Sequence, residues 1–306
     1  MTEKDYFNGY FEVEDNSYFD IPLTSDMVMY VDPHRLKVTR EPLFDAKTAQ
    51  LKVNNFFSTV FDLYREDSKE LAVNYLSIPR EINATHFGLS KGMAQGTGPS
   101  RDILHCFFEK VTNELEQSLL SRPVLIPLLV RNFGPDRFSD LIVNIISKEL
   151  ADFTYLICAK HGKETHEVEF CTYYDTHESG WKNLKAHLPI GPDGKPILLV
   201  PKDLAVNAYG FSAEQYVNQV VLKHLQAKHF EEMSPLVRYK ERRGDLIPTP
   251  PTITTLRRFE IDEPYAEVQG KGKAFALNQS LTYPHLLEQY VTFVEGRTFV
   301  LEKGQN

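Results

Sequence analysis

The sequence has little cysteine and no long apolar run. Three cysteines in 306 residues are too few for the disulfide framework of a small secreted protein, so a reducing compartment is the default expectation. No apolar stretch reaches the roughly 18 residues that a membrane-spanning helix needs. The first residues also lack the basic and then apolar pattern of a secretory signal. We therefore expect a cytoplasmic protein without a membrane partner.

The two common nucleotide-binding fingerprints are also missing, although residues 88–102 are rich in glycine. A Walker A loop ends in Gly-Lys-Ser or Gly-Lys-Thr, whereas Gly98 is followed by Pro99 and Ser100. A dinucleotide-binding turn needs a third glycine that this stretch does not supply. Free backbone amides before a predicted helix still favour an anion. The predicted anion ligands are Lys91, Gly96, Gly98, Ser100 and Arg101, and a plain surface loop is the alternative.

The net charge of −8 is concentrated at the N-terminus. Residues 1–34 hold eight acidic side chains against one basic side chain, together with six tyrosines and phenylalanines within 6–19. An acidic, aromatic arm of this kind can dock on a partner or cover a basic groove, so a protein partner is predicted. An edge strand or a surface segment with a solvated face explains the same pattern.

Apolar spacing predicts helices first and most strands afterwards. The predicted elements are helices over 46–64, after the glycine-rich stretch and over 134–162, strands over 27–31 and 167–174, hairpins over 185–200 and 290–301, and a helix capped by Ser212 and ending near Phe230. Because the strands do not alternate regularly with helices, we expect an α+β fold. Its helix-rich N-terminal two-thirds would pack with a mixed or antiparallel sheet.

Three prolines within 244–251 predict a linker, because proline removes a backbone donor and disrupts regular structure. We therefore expect a main domain over 1–243 that includes the acidic arm. A small C-terminal α/β subdomain is predicted over 252–306.

Two aspartates at the start of the predicted long helix are candidate catalytic residues. Asp136 and Asp140 are four residues apart, so a helix presents them on one face. Paired carboxylates can hold Mg²⁺ or Mn²⁺ or transfer protons. Pro135 and Asp136 invite comparison with nucleases of the PD-(D/E)XK type, but no Glu-x-Lys follows them. In the alternative interpretation, Asp136 caps the helix and Asp140 faces solvent.

One spacing matches a zinc knuckle in which histidine replaces a cysteine. The residues are Cys158, His161, His166 and Cys171, and zinc accepts such ligands in a closed tetrahedral site. However, Cys158 falls in an apolar run and Cys171 in a predicted strand, and free cysteines are usually buried small hydrophobes. We therefore favour buried cysteines over a zinc site.

Basic residues alternate with an aromatic in Arg238-Tyr-Lys-Glu-Arg-Arg243. Such a pattern can contact the phosphate backbone of nucleic acid. A solvated helix face explains it equally well, and the acidic total argues against strong non-specific binding.

Two segments, 134–146 and 196–202, resemble stretches of uncharacterised bacterial proteins encoded near phage-defence or mobile-element genes. The resemblance implies a biological setting and carries no catalytic assignment. With the glycine-rich stretch, it suggests a bacterial defence-type protein that recognises or acts on nucleic acid or a nucleotide, with a metal-dependent nuclease as the catalytic form. The alternative is a non-catalytic partner or regulatory subunit of a multi-protein defence complex.

Overall fold

Helices dominate the computed structural model, at about 54% of the residues, and about 15% lie in small antiparallel sheets. This composition confirms the α+β class. The structure describes residues 5–77, 82–88, 99–112 and 115–303, with side chains up to residue 296. None of the helices within these ranges combines the length and apolar character that crossing a membrane requires.

The regular elements are spread along the whole described chain. The helices are α1 Phe7–Phe11, α2 Ala46–Arg65, α3 Lys69–Ser77, α4 Arg101–Val111, α5 Glu116–Ser121, α6 Ile126–Leu129, α7 Pro135–Ile145, α8 Ser147–Lys160, α9 Ala213–Tyr216, α10 Leu222–Glu231, α11 Ile253–Arg257, α12 Lys271–Thr282 and α13 His285–Lys303. The strands are β1 Tyr30–Val31, β2 His166–Asp175, β3 Gly180–Leu188, β4 Ala205–Val206, β5 Arg238–Arg242 and β6 Asp245–Thr249. In the described residues β1 pairs with β4, β2 with β3 and β5 with β6, all antiparallel.

The chain divides into two compact units. Unit 1 comprises Met1–Phe108, Leu120–Val124 and Phe133–Tyr209. Unit 2 comprises Glu109–Leu119, Leu125–Asn132 and Gly210–Asn306. The segment 244–251, predicted as a linker, lies inside unit 2 and contains β6.

Helix α2 forms where the sequence predicts it, because apolar residues recur at helical spacing and turn one face to the core of unit 1. Its N-terminus is capped by Asp45, whose carboxylate accepts a hydrogen bond from the backbone N–H of Thr48 at 2.9 Å. The buried face comprises Ala49, Lys52, Val53, Phe56, Phe57, Val60, Phe61 and Tyr64.

The long helix predicted over 134–162 is instead two helices, α7 and α8, with a break at Ile146. Side chains at the break bond to the backbone: the Asn144 amide donates to the carbonyl of Asp140 at 2.8 Å, and the Ser147 hydroxyl donates to the carbonyl of Asn144 at 3.1 Å. Such bonds compete with the helical ladder. Gly162 follows α8 with φ +62°, which confirms it as the residue that ends the second helix.

The strand predictions are partly confirmed. Strand β2 covers the predicted 167–174, but its partner is β3 over 180–188, and the hairpin predicted over 185–200 is wrong. Within the described residues its two sides meet only around the turn: Ile190 bridges to Pro196, and the backbone N–H groups of Gly191 and Ile197 donate to the carbonyls of Lys195 and Pro189 at 2.8 Å and 3.0 Å. Beyond the turn the backbone N–H of Leu198 donates to the carbonyl of Ala84 and that of Leu199 donates to the hydroxyl of Thr154, so tertiary contacts replace the rest of the predicted hairpin.

In unit 2 the Ser212 cap is confirmed, since its hydroxyl accepts from the backbone N–H of Gln215. The helix that it starts includes a π-helical segment at Val217–Val221 before α10. The hairpin predicted over 290–301 is wrong, because this segment belongs to α13. Its buried positions recur at helical rather than alternating spacing, at Leu286, Leu287, Tyr290, Val291 and Val294.

The acidic N-terminal segment folds into unit 1. Residues Phe7 and Tyr18 are each only 1% exposed, and their rings meet edge to face at 5.4 Å. The aromatic residues of the predicted arm therefore belong partly to the core, and short helix α1 replaces the predicted edge strand. Among its acidic residues Glu12 and Glu14 remain exposed, whereas the side chain of Asp15 is only 5% exposed.

Candidate functional site

The two candidate catalytic aspartates lie on α7, one turn apart and both half-buried. The helix begins at Pro135, directly after its N-cap Gly134, so Asp136 lies in its first turn. Burial raises the pKa of Asp136 above its ordinary value. The helix is fixed to β1 by Ser139, whose hydroxyl accepts the backbone N–H of Val31 at 2.9 Å.

A pair of tyrosines adjoins these aspartates. The Tyr209 hydroxyl donates to the carbonyl of Val31 at 2.9 Å, and its ring stacks on Tyr30 with centroids 5.6 Å apart. Burial raises the pKa of both phenols; negative charge raises it further, at Tyr30 from Asp136 and at Tyr209 from Asp32 and Asp140. The negative charges of three carboxylates thus contribute to the raised pKa of the two phenol groups.

Asp32 is the buried member of this group, at 5% exposure. Its carboxylate caps the turn Pro33–Lys37 by accepting the backbone N–H of His34 at 2.9 Å. Burial raises the pKa of Asp32 despite this bond. A carboxyl group with a raised pKa can exchange a proton nearer neutral pH than an exposed one. Within the described ranges no three His, Cys, Asp or Glu side chains are placed to hold a metal ion together.

The predicted anion ligands are only partly described. Lys91, Gly96 and Gly98 lie outside the described residues. The Ser100 hydroxyl accepts the backbone N–H of Ile103 at 3.4 Å and so caps α4. Arg101 donates to Glu70 at 2.9 Å and to Asn74 at 2.6 Å, so its guanidinium already has an anionic partner.

The start of α4 and the start of α7 meet the same helix. Arg101 contacts Glu70 and Asn74 on α3, while the guanidinium of Arg137 donates to the carbonyl of Ser77 at 3.4 Å. Asn74 and Ser77 are one helical turn apart, about 4.5 Å along the axis. Two segments that the sequence singled out separately therefore approach each other through α3.

The two histidines among the candidate zinc ligands have other partners, and the two cysteines are buried or half-buried. His161 bonds to Asp15 at 2.7 Å, and His166 lies 3.7 Å from Glu164. Burial raises the pKa of the Cys158 thiol to about 11 and that of Cys171 to about 12. Burial that raises a thiol pKa in this way is typical of a cysteine that packs as a small hydrophobic residue.

The N-terminal acids line an open cleft of about 1220 Å³ in unit 1, among them Glu12, Glu14, Asp15 and Asp20. Burial alone would raise the pKa of Asp15, but hydrogen bonds from His161, Lys160 and Ser17 hold it well below its usual range. Asp15 is thus a fixed negative charge that ties the N-terminal segment to the end of α8.

The basic stretch forms an exposed two-stranded hairpin with the residues that follow it, and the alternative interpretation as a helix face is wrong. We call residues 238–249, which comprise β5, a two-residue turn and β6, the basic ribbon. The turn is Arg243 at φ 55° and Gly244 at φ 89°, which matches the primed turn that suits twisted hairpins. Opposed residues share a face. One face carries Arg238, Lys240, Arg242, Asp245, Ile247 and Thr249, and the other carries Tyr239, Glu241, Leu246 and Pro248.

The cations of the basic ribbon are not neutralised by the protein. No salt bridge or side-chain hydrogen bond within the described parts of the chain engages the charged groups of Arg238, Lys240, Arg242 and Arg243, and all four side chains are exposed. Two exposed or half-buried cations elsewhere in unit 2 are, by contrast, paired: Arg258 lies 2.7 Å from Glu263, and Lys271 lies 2.5 Å from Asp262. With Glu241 and Asp245, the ribbon has four basic and two acidic groups.

Most of unit 1, together with two short segments of unit 2, lies within the range of a known sequence family. The model of a family described as a domain of unknown function (DUF8370) matches residues 11–209. No curated protein and no solved structure matches the chain. The matched segment ends at the residue where unit 1 ends; it includes α7 and both tyrosines of the pair but not the basic ribbon. Because the match spans well over half of the sequence, the chain belongs to the DUF8370 family.

Proposed function

We propose that this protein binds nucleic acid through the basic ribbon. The observation that carries the proposal is the set of four exposed, unpaired cations within six consecutive residues, on a hairpin. Phosphate groups are the ligands that such a set neutralises, and each neutralised phosphate releases a bound counterion. The chain as a whole carries −8, so its net charge does not attract nucleic acid, and the attraction has to come from a local cluster of cations such as the ribbon.

Removing these cations is the direct test. The combined variant Arg238→Ala, Lys240→Ala, Arg242→Ala and Arg243→Ala should bind an oligonucleotide at least tenfold more weakly at about 0.1 M salt. Because up to four phosphate contacts are lost, the slope of log K against log salt should flatten by about 3 to 4. Fluorescence anisotropy with a labelled oligonucleotide over a salt series measures both quantities.

The β2–β3 hairpin supplies a matched control. Its Lys182 lies 2.5 Å from Glu178 and its Lys185 lies 3.9 Å from Glu169, so each of these lysines already has an acidic partner. The variant Lys182→Ala with Lys185→Ala should bind nucleic acid as tightly as the unmodified protein. Equal losses in both variants, or no loss in the ribbon variant, would refute the proposal. A protein that binds no nucleic acid would favour a non-catalytic subunit of a defence complex instead.

A catalytic form of this function would use Asp136 and Asp140 with Mg²⁺ or Mn²⁺. It is supported by the raised pKa of Asp136 and by the carboxylates gathered around Tyr30 and Tyr209. The resemblance to proteins encoded near phage-defence genes suggests the biological role of such a nuclease: its substrate would be the nucleic acid of a mobile element.

Cleavage tests this catalytic form separately from binding. Incubation with DNA or RNA and either metal should give products, and Asp136→Asn with Asp140→Asn should reduce the rate by at least a hundredfold, the scale of a lost acid–base or metal contact. Gel electrophoresis of labelled substrates measures the rate. Absence of cleavage by the unmodified protein would remove the nuclease and leave ribbon binding intact.

A further inference from the structure

The two faces of the basic ribbon differ in chemistry, and the difference selects a ligand. We infer that the ribbon binds duplex DNA, with the face of Arg238, Lys240 and Arg242 turned into the major groove. This inference rests on the proposed binding of nucleic acid. It adds the class of nucleic acid and the face of the ribbon that meets it.

Strand alternation separates the aromatic residue from the cations. In the sequence Tyr239 stands between Arg238 and Lys240, but the register puts it on the opposite face, with Glu241 as its neighbour on the same strand. Proteins that hold single strands combine stacking aromatics with a basic groove that follows the backbone. Here a single strand on the Tyr239 face meets a carboxylate, and one on the opposite face meets cations without an aromatic platform. The arrangement therefore disfavours a single-stranded ligand.

The dimensions of the ribbon suit B-form DNA. A two-stranded ribbon enters the major groove, which is about 12 Å wide, whereas the deep and narrow major groove of A-form RNA excludes side chains. Alternate residues of a strand are about 6.8 Å apart. This distance equals two steps of about 3.4 Å along the DNA axis. Arg238, Lys240 and Arg242 can thus meet every second base pair.

Other side chains of the cationic face and of the turn can also contact the bases or the phosphates of DNA. Arginine and lysine donate to the O6 and N7 atoms of guanine, and an apolar side chain contacts the methyl group of thymine. Ile247, 40% exposed beside Lys240, offers such an apolar contact. Asp245 is the one acidic group on the cationic face, and Arg243 occupies the turn, where it can reach a phosphate.

Two single substitutions distinguish the faces. Asp245→Asn and Glu241→Gln each remove one negative charge from the ribbon, and both side chains are exposed. If the cationic face meets DNA, Asp245→Asn should tighten duplex binding about three- to tenfold, because it removes a carboxylate next to the phosphates. Glu241→Gln should change the Kd by less than about twofold, since its carboxylate points away. Tyr239→Ala should leave duplex binding within the same limit.

The experiment compares a duplex DNA of about 20 base pairs, one of its strands, and an RNA duplex of the same sequence. Anisotropy is measured in EDTA, so that metal-dependent cleavage does not interfere, and circular dichroism melting confirms that each variant is folded. We expect the DNA duplex to bind at least tenfold more tightly than the other two ligands.

Several outcomes would overturn the inference while leaving the proposed function in place. These are equal or tighter binding of the single strand or the RNA, equal gains from Asp245→Asn and Glu241→Gln, and loss of binding on Tyr239→Ala. If none of the three ligands binds, the proposed function itself fails.

Discussion

Replacing Lys52 with methionine is expected to lower the free energy of unfolding of unit 1 by about 3–5 kcal/mol. Its ammonium lies 2.7 Å from a carboxylate oxygen of Glu149, and the two side chains are only 9% and 7% exposed. The second carboxylate oxygen, Oε2, has no hydrogen-bond partner among the described residues. Methionine fills the volume but leaves Glu149 as a buried, uncompensated charge, and the protein bears that desolvation cost.

The pH dependence of this variant follows from the same pair. Burial raises the pKa of Glu149, and Lys52 opposes that shift. Without Lys52 the native state therefore binds a proton that the unfolded state releases, so stability falls as the pH rises through the folded-state pKa. We therefore expect the loss of stability in Lys52→Met to become smaller as the pH falls from about 8 to about 5, because protonation neutralises Glu149.

A double variant completes this test. Lys52→Met with Glu149→Leu removes both charges and should recover most of the lost stability. Urea unfolding followed by the fluorescence of Trp181, the single tryptophan of the chain, reports on unit 1. Lys185→Met serves as the control, because this exposed lysine lies 3.9 Å from Glu169 and should contribute less than about 1 kcal/mol. A double variant as unstable as Lys52→Met would show that shape rather than charge governs the site.

Replacing Phe56 with alanine is expected, by itself, to lower the free energy of unfolding by about 3–5 kcal/mol. The ring is fully buried on α2 and lies 5.1 Å from the ring of Tyr174 and 5.5 Å from that of Trp181. Its removal leaves a cavity between α2 and the β2–β3 hairpin that rigid aromatic neighbours cannot fill. Because Trp181 is itself a neighbour, unfolding should be followed by circular dichroism as well as by fluorescence.

Leu51 is the matched control for this substitution. It lies on the same helix but is 59% exposed, so Leu51→Ala should change stability by less than about 0.5 kcal/mol. Similar costs at positions 51 and 56 would contradict the placement of the buried face of α2.

The sequence correctly predicted those helices in which buried residues recur at helical spacing over several turns. Helix α2 is such a case. The Ser212 cap is predicted for a different reason, since its signal lies within four residues of the sequence. Helix α13 was missed because valine, threonine and phenylalanine cluster near its end and favour strands locally. Its burial at Tyr290 and Val294 is set by packing within unit 2, which overrides that local preference.

The arrangement of the candidate site, unlike that of helix α2, depends on contacts between residues that are far apart in the sequence. The bond from Val31 to Ser139 joins residues 108 positions apart, and that from Tyr209 to Val31 joins residues 178 apart. No local pattern could place Tyr30 near Asp136, or Tyr209 near Asp32 and Asp140. In the basic ribbon the sequence identified the charges, but only the register of β5 and β6 separates them from Tyr239.

The division of the chain also bears on how this protein can be rearranged by recombination. Helix α6, within Leu125–Asn132, packs against α12, and the Lys273 ammonium donates to the carbonyl of Val130 at 3.3 Å. Unit 2 is therefore built partly from polypeptide that lies inside the family domain. A gene fusion that joined only residues 210–306 to another protein would carry the ribbon without α6. The family domain and the ribbon-bearing unit are thus transferred intact only together.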